Sequence, residues 1–280
     1  IISKSGNTLE TLSNIFLLNI LKKKAKNIII ISEKKNNSLY LLSKKLDLFY
    51  IEHKKDIGGR YSVLSEVGIL PAYLMGLNIF KIRSKINDSF SKKNKSFTKE
   101  STTKLANLMN TKKFNNLVLL NYCPELEKFL FWCQQLLAES LGKKSKGFLP
   151  SISNAPKDHH SLLQLYLDGP RDKIFNIFSL EKNSNLRINL SKNKNISSYL
   201  NKKKISKIKI SQKNALIKAF EKKKIPFREF RIKTINEEVL GKLFSIFIVE
   251  TIILGKLLNI NPFDQPAVEQ VKIDTKNFLT

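Results

Sequence analysis

The order of apolar and polar positions along the chain predicts strands alternating with helices. Ile1-Ile2 reads as the end of a strand, followed by a short polar loop and then a helix. On that helix Leu9, Leu12, Ile15, Phe16 and Ile20 fall on one face at helical spacing. Asn27 to Ser32 is short and almost wholly apolar, the pattern of a strand covered on both faces of a parallel sheet. A helix through Ser38 to Leu46, a strand at Leu48 to Ile51 and an apolar helix from Val63 to Gly76 continue the alternation. Arg83 to Lys99 is poor in large apolar residues and rich in Ser, Lys and Asn, a linker or a solvated helix, so a domain boundary is expected near it. Beyond it the pattern resumes. Strands are expected at Asn116 to Leu120, Lys173 to Phe178 and Phe227 to Ile232, and helices at Glu125 to Leu141, Gln212 to Phe220 and Asn236 to Leu258. Such alternation predicts an α/β fold with mainly parallel sheets in two halves, without fixing strand order.

Composition adds bounds. The apolar fraction of 42% over 280 residues is near the globular average and supplies a sizeable core. The chain carries 50 Lys and Arg against 23 Asp and Glu, a formal charge of +27. That surplus invites a polyanion partner, but Lys, Asn and Ile are abundant together, the composition an AT-rich genome produces. The runs Lys22–Lys24, Lys202–Lys204 and Lys222–Lys224 have no interleaved aromatic residues and are expected at helix ends, where cations complement the dipole. A solvated surface, with no nucleic-acid partner, is the reading adopted. No apolar run approaches the ~20 residues of a membrane span, so no membrane partner is expected. Cys123 and Cys133 have neither metal-ligand spacing nor the density of a disulfide scaffold, which fits reduced core thiols in a cytoplasmic protein.

Five stretches carry candidate chemistry. In Ser3 to Thr11 a strand runs through a hydroxyl-rich turn into a helix, placing unpaired N–H donors and Ser3, Ser5 and Thr8 at a helix amino terminus, with Lys4 as an added cation. That is either an anion site or ordinary capping. In Gly58-Gly59-Arg60-Tyr61-Ser62 paired glycines allow a sharp turn or a close ligand approach, and Arg60 presents a fork of donors; a generic turn is the plainer reading. Gln135 and Glu139 share one helical face in an apolar stretch, where a carboxylate is either buried and raised in pKa or simply exposed. Asp158-His159-His160-Ser161 holds adjacent histidines after Pro156-Lys157, suited to acid/base work and poorly suited to binding a metal. Gln265 to Lys272 ends the series, with one lysine that means little by itself among so many.

Taken together these stretches resemble the glucose-6-phosphate isomerase family over essentially the whole chain. The most specific match is the run Gly58 to Pro71. The resemblance implies two sugar-isomerase (SIS) type three-layer α/β/α domains, at 1–85 and 95–260, with a carboxyl-terminal arm at 261–280. It implies interconversion of glucose 6-phosphate and fructose 6-phosphate without cofactor or metal. By the same match Ser3, Ser5, Thr8 and Lys4 hold the phosphate, and Arg60 stabilises the enediolate. Glu139 moves a proton between C1 and C2, and Gln135 and Gln265 place the sugar. His160, with His159 as the fallback, and Lys272 open the ring. The histidine is expected to enter a neighbouring subunit's site, which implies a homodimer. Departures from the family pattern are Ser5 for a commoner Thr, Asn7 for a Thr, and Pro266 and Gln270-Val271 near the closing lysine. The chain opens on Ile1 and lacks the glycine-rich loop the family carries upstream, so an amino-terminal part is expected to be missing and the 280 residues alone to be inactive or weak. The rival expectation is a non-catalytic phosphosugar-binding module, which has no need of Glu139, Arg60, His160 and Lys272 together.

Overall fold

The computed structural model describes residues 1–181, 186–189 and 198–279 and divides into two units, Ile1–Ser84 and Lys85–Thr280. In the first unit the chain forms α1 (Leu9–Leu17), β1 (Ile29–Ser32), α2 (Ser38–Lys45) and β2 (Phe49–Glu52). A 3-10 turn at Gly59–Leu64 then leads to α3 (Glu66–Leu74) and α4 (Ile79–Ser84). β1 and β2 pair in parallel, Ile29 opposite Phe49, and Ile2 adds a parallel bridge to Ile31. The core here is small: Ile15, Ile30, Leu39 and Leu48 are buried together, with Leu12, Leu46 and Tyr50 packed at its margin.

The second unit begins with a 3-10 turn at Ile86–Phe90 and α5 (Lys92–Asn110), then β3 (Asn116–Asn121), α6 (Glu127–Leu141), β4 (Leu149–Asn154) and α7 (Leu163–Asp168). It continues through β5 (Lys173–Leu180), α8 (Ile205–Lys222), β6 (Phe227–Ile232), α9 (Glu237–Leu257) and α10 (Ala267–Leu279). Its sheet has the order β4-β3-β5-β6, and every pairing is parallel. Strand alternation sorts the side chains onto two faces. Val118, Leu120, Phe175 and Ile177 face Tyr166 on α7 and Leu216 and Phe220 on α8. On the other face Phe178 stacks on Phe230 at 4.9 Å between ring centroids and also meets Phe129 of α6 and Phe247 of α9. Arg228 of β6 lies on this second face. It donates to Asn176 Oδ1 at 2.7 Å and forks onto Glu250 of α9 at 2.5 and 2.7 Å. A charge that deep needs such a partner, because an unpaired ion in a low dielectric costs several kcal/mol.

Several expectations are corrected. The helix expected from Val63 starts only at Glu66, because Ser65 is extended (φ −96°, ψ −171°) and separates the 3-10 turn from α3. Of the two readings left open for Arg83 to Lys99, the helical one holds for much of its length, with α5 beginning inside it. The apolar face expected on α1 is only partly covered: Ile15 is buried, but Leu9, Phe16 and Ile20 are exposed. The helix ends at Leu17 with Asn19 in the left-handed region (φ 47°), so Ile20 lies beyond it and off its face. Lys202–Lys204 sit ahead of α8, with Lys204 at its amino-terminal cap position, so the dipole argument fails for that run. It holds for Lys222–Lys224, at the other end of α8.

Candidate active site

The turn after Ile2 is shaped by hydrogen bonds to its neighbours. The Ser3 N–H donates to Ile31 O at 3.0 Å, the Glu33 N–H to Lys4 O at 3.0 Å, and the Leu39 N–H to Gly6 O at 3.1 Å. These fix the turn at the carboxyl ends of the parallel strands, the edge where open α/β sheets bind ligands. Gly6 is required there. Its φ is +67°, and an added Cβ would lie 1.8 Å from Asn37 Oδ1. That oxygen is already committed to capping α2 through the Tyr40 N–H at 2.9 Å.

Three hydroxyls gather within this turn. Ser3 Oγ lies 2.7 Å and Ser5 Oγ 3.4 Å from Thr8 Oγ1. Thr8 holds the cap position of α1 with extended backbone, yet its side chain makes no capping bond and turns to the serines instead. The first-turn N–H groups of α1 have no carbonyl within the helix to donate to. Hydroxyls, N–H donors and the positive dipole end therefore converge, as an anion requires. Lys4 reaches the other way: its Nζ donates to Lys55 O at 3.2 Å and lies 3.5 Å from Glu33. Burial works against the Glu33 carboxylate, but Lys35 and Lys4 hold it below its ordinary pKa.

Arg60 is buried in the 3-10 turn that follows the glycine pair, its guanidinium 5.4 Å from the Tyr61 ring centroid. The same unit holds a feature that sequence reasoning missed. His53, fully enclosed just after β2, bonds through Nδ1 to the Glu66 carboxylate and through Nε2 to Ile57 O at 3.0 Å. Burial works against the Glu66 carboxylate, but its own N–H and His53 hold it below the ordinary range. His53 ties β2 to the start of α3, and so frames the loop that carries Arg60. A lone histidine thirteen positions from its partner gives no spacing signal.

In the second unit Gln135 Nε2 donates to Glu139 Oε1 at 3.0 Å, one turn apart on α6. Gln135 is exposed and Glu139 half-buried, while Leu136, Leu137, Ser140 and Leu141 face the core. Of the two readings left open for this face, the structure places it at the margin and not inside. His160 is exposed on the turn after β4. His159 is half-buried, with Nε2 at 2.7 Å from Tyr122 Oη, and its pKa is lowered, chiefly by burial and then by the neighbouring His160. Beside it Asn121, Asn154, Glu127 and Asp158 form a hydrogen-bonded set at the ends of β3 and β4. Burial, with Glu125 beside it, pushes the Cys123 thiol up to about 12, and Cys133 is raised as well, so neither is a thiolate at neutral pH. Lys272 lies on α10, exposed, with Nζ at 2.7 Å from Glu269 Oε1. The arm expected at 261–280 is mostly this helix, which buries none of its residues. Ser3, Ser5 and Thr8 are thus brought together, and so are Gln135 and Glu139; His160 and Lys272 lie on separate elements, the turn after β4 and α10. Among the described residues there is no group of three or more His, Cys, Asp or Glu able to hold a metal, and no helix is long and apolar enough to cross a membrane.

No family model matches the chain. Among solved structures, a hypothetical protein from Thermus thermophilus is similar at a TM-score of 0.89 and 26% identity, over 100% of this chain and 70% of that one. A glucose-6-phosphate isomerase from Chlamydia trachomatis is similar at a TM-score of 0.80 and 19% identity, over 99% and 58% of the two chains. These place the chain in the α/β class with parallel sheets. Among curated relatives, a probable glucose-6-phosphate isomerase of Methanococcus maripaludis is 36% identical over 100% of this chain and 65% of its own length. A glucose-6-phosphate isomerase of Methanocaldococcus jannaschii is 34% identical over 97% and 69%. The chain spans about two thirds of the length of these relatives. It belongs to the glucose-6-phosphate isomerase family.

Proposed function

We propose that the chain carries the aldose–ketose isomerase chemistry of its family, interconverting glucose 6-phosphate and fructose 6-phosphate. The observation that carries this reading is the Ser3 to Thr8 turn, where three hydroxyls and the open end of α1 meet while the threonine declines its capping role. A phosphate held there anchors the substrate far from the reacting carbons, and that remote binding energy positions C1 and C2. Arg60 lies against the oxyanion as it develops. Glu139 takes a proton from one carbon and returns it to the next, oriented by Gln135. His160 and Lys272 open the ring. A proton is given to the ring oxygen as its bond to the anomeric carbon breaks, and another is taken from the anomeric hydroxyl as the carbonyl forms. Gln265 contacts the sugar. Lys4 acts through the backbone, since its amine is engaged with Glu33 and Lys55. The reaction moves protons only and needs no cofactor.

A homodimer goes with this reading, in which the exposed turn carrying His160 serves the neighbouring subunit's site. The exposure of that turn and of α10 supports it. A cytoplasmic location goes with it as well, in keeping with two free, buried cysteines.

The test is turnover of fructose 6-phosphate by the full natural chain and by Glu139→Gln, read through a coupled dehydrogenase. The wild type is expected to turn over. The variant is expected to lose about 10²–10⁴-fold in kcat, the usual worth of a positioned base, with KM little changed. Full activity in the variant would remove Glu139 from the mechanism. A wild type that binds sugar phosphate without turning it over would leave a non-catalytic phosphosugar-binding module.

A further inference from the structure

The second unit contains a cavity of about 250 Å³ whose lining includes none of the residues assigned above. It opens where three segments approach their strands: Lys113-Phe114 before β3, Pro170 to Phe175 into β5, and Lys223 to Pro226 before β6. The cavity therefore lies at the amino-terminal edge of the sheet. Tyr166 and Phe175 place it on the face covered by α7 and α8. Gln135 and Glu139 ride on α6, across the thickness of the sheet.

The lining divides by chemistry. Phe175 and Tyr166 are buried and Phe114 half-buried, and with Pro226 and Ile225 they form an apolar, largely aromatic floor. Apart from Pro170 the remaining positions are cationic, Lys113, Arg171, Lys173, Lys223 and Lys224, and no carboxylate lines the cavity. Three of these are engaged: Lys173 with Asp172 at 2.6 Å, Lys223 with Asp168 at 3.6 Å, and Arg171 with the Lys223 carbonyl at 3.2 Å. Lys113 and Lys224 make no ion pair among the described residues; Lys113 lies 5.9 Å from the Phe114 ring centroid. Helices α5, α7 and α8 all end near this mouth, and their negative ends account for some of the positive charge. They do not account for an aromatic floor beneath it, nor for five cations around a hollow. Two cations left over at the rim, the partly accessible Phe114 ring and Pro226 beneath them, and a volume at the small end of ligand pockets select a compact ring body bearing a doubly charged group.

We propose that this cavity binds a small organic phosphate with a flat ring body, of the nucleoside monophosphate class. The ring lies on Phe114, and the phosphate meets Lys113 and Lys224. The site is separate from the Ser3 to Thr8 turn and does not depend on the isomerase reading.

Isothermal titration of the full natural chain with adenosine monophosphate tests it, with inorganic phosphate as the probe lacking a ring. Saturable binding at about 1 mM or tighter is expected. The double charge reversal Lys113→Glu/Lys224→Glu, at exposed positions, is expected to weaken it at least tenfold without moving the melting temperature. Thr8→Val, which disables the other phosphate turn, is expected to leave it unchanged. The proposal is overturned by the absence of saturable binding, by binding indifferent to the charge reversal, by loss in Thr8→Val, or by inorganic phosphate binding as tightly as the nucleotide.

Discussion

The two units build parallel α/β layers from similar local patterns, but they close their cores very differently. In the second, a four-stranded sheet is sealed on both faces, and Phe129, Phe175, Phe178, Phe220 and Phe247 are all buried. In the first, two short strands and one bridge go with seven buried apolar residues among those described, four of them gathered in one cluster. There Phe16, Leu17, Leu18, Tyr73, Leu74, Met75 and Phe80 stand 62–82% exposed. A sheet covers only as many helical side chains as its width allows, so equal amphipathicity does not give equal burial. The second unit holds its catalytic candidates at the rim of a stiff core. The first holds its candidate phosphate turn by backbone bonds and one glycine.

Three substitutions would break or sharpen this contrast, each read by hydrogen exchange resolved into peptides of the two units. Phe178→Ala should have the largest effect, about 3–5 kcal/mol, because it opens a cavity among Phe129, Phe230 and Phe247. Protection should fall across residues 85–280, and a loss confined to a few neighbouring amides would refute the picture of one stiff core. Gly6→Ala should cost about 1–3 kcal/mol, since it strains a positive φ and drives a methyl into the cap of α2. Exchange should rise in the first unit alone, and sugar phosphate affinity should fall with it. Leu17→Ser should be the smallest, within about 0.5 kcal/mol, because a side chain 82% exposed has little burial to lose. A larger loss would mean that this face is covered in solution.

The strands were the most readable part of the chain. Asn116 to Leu120 is covered on both faces, so its apolar run alone marked it, whereas Phe227 to Ile232 is a half-covered edge strand in which Phe227, Phe230 and Ile232 stand among charged residues. β4 escaped notice because Leu149-Pro150-Ser151-Ile152-Ser153-Asn154 is a polar, Pro-containing edge strand whose pairing with β3 is a tertiary fact. α5 was ambiguous for a related reason: Lys92 to Asn110 is largely polar and shows its helical identity mainly where Thr98, Thr102, Leu105 and Met109 meet a neighbour. At the candidate site the types of residue were legible, but the directions of their side chains were not. Nothing in the spacing said that Lys4 turns toward Glu33, that Thr8 forgoes its cap, or that Gln135 stays exposed. The His53–Glu66 pair was invisible because it joins two elements whose packing no periodicity encodes.

The order β4-β3-β5-β6 also governs what a ribosome must wait for. β3 is made first and ends in the middle of the sheet, paired on one side with residues 149–154 and on the other with residues 173–178. At elongation rates of about 5–20 residues per second, the nascent Leu117–Leu120 segment spends roughly 3–12 seconds with its second edge unmade. Throughout that interval the most apolar strand of the unit is a bare template, and its protection falls to α6 and to whatever chaperone holds the emerging chain.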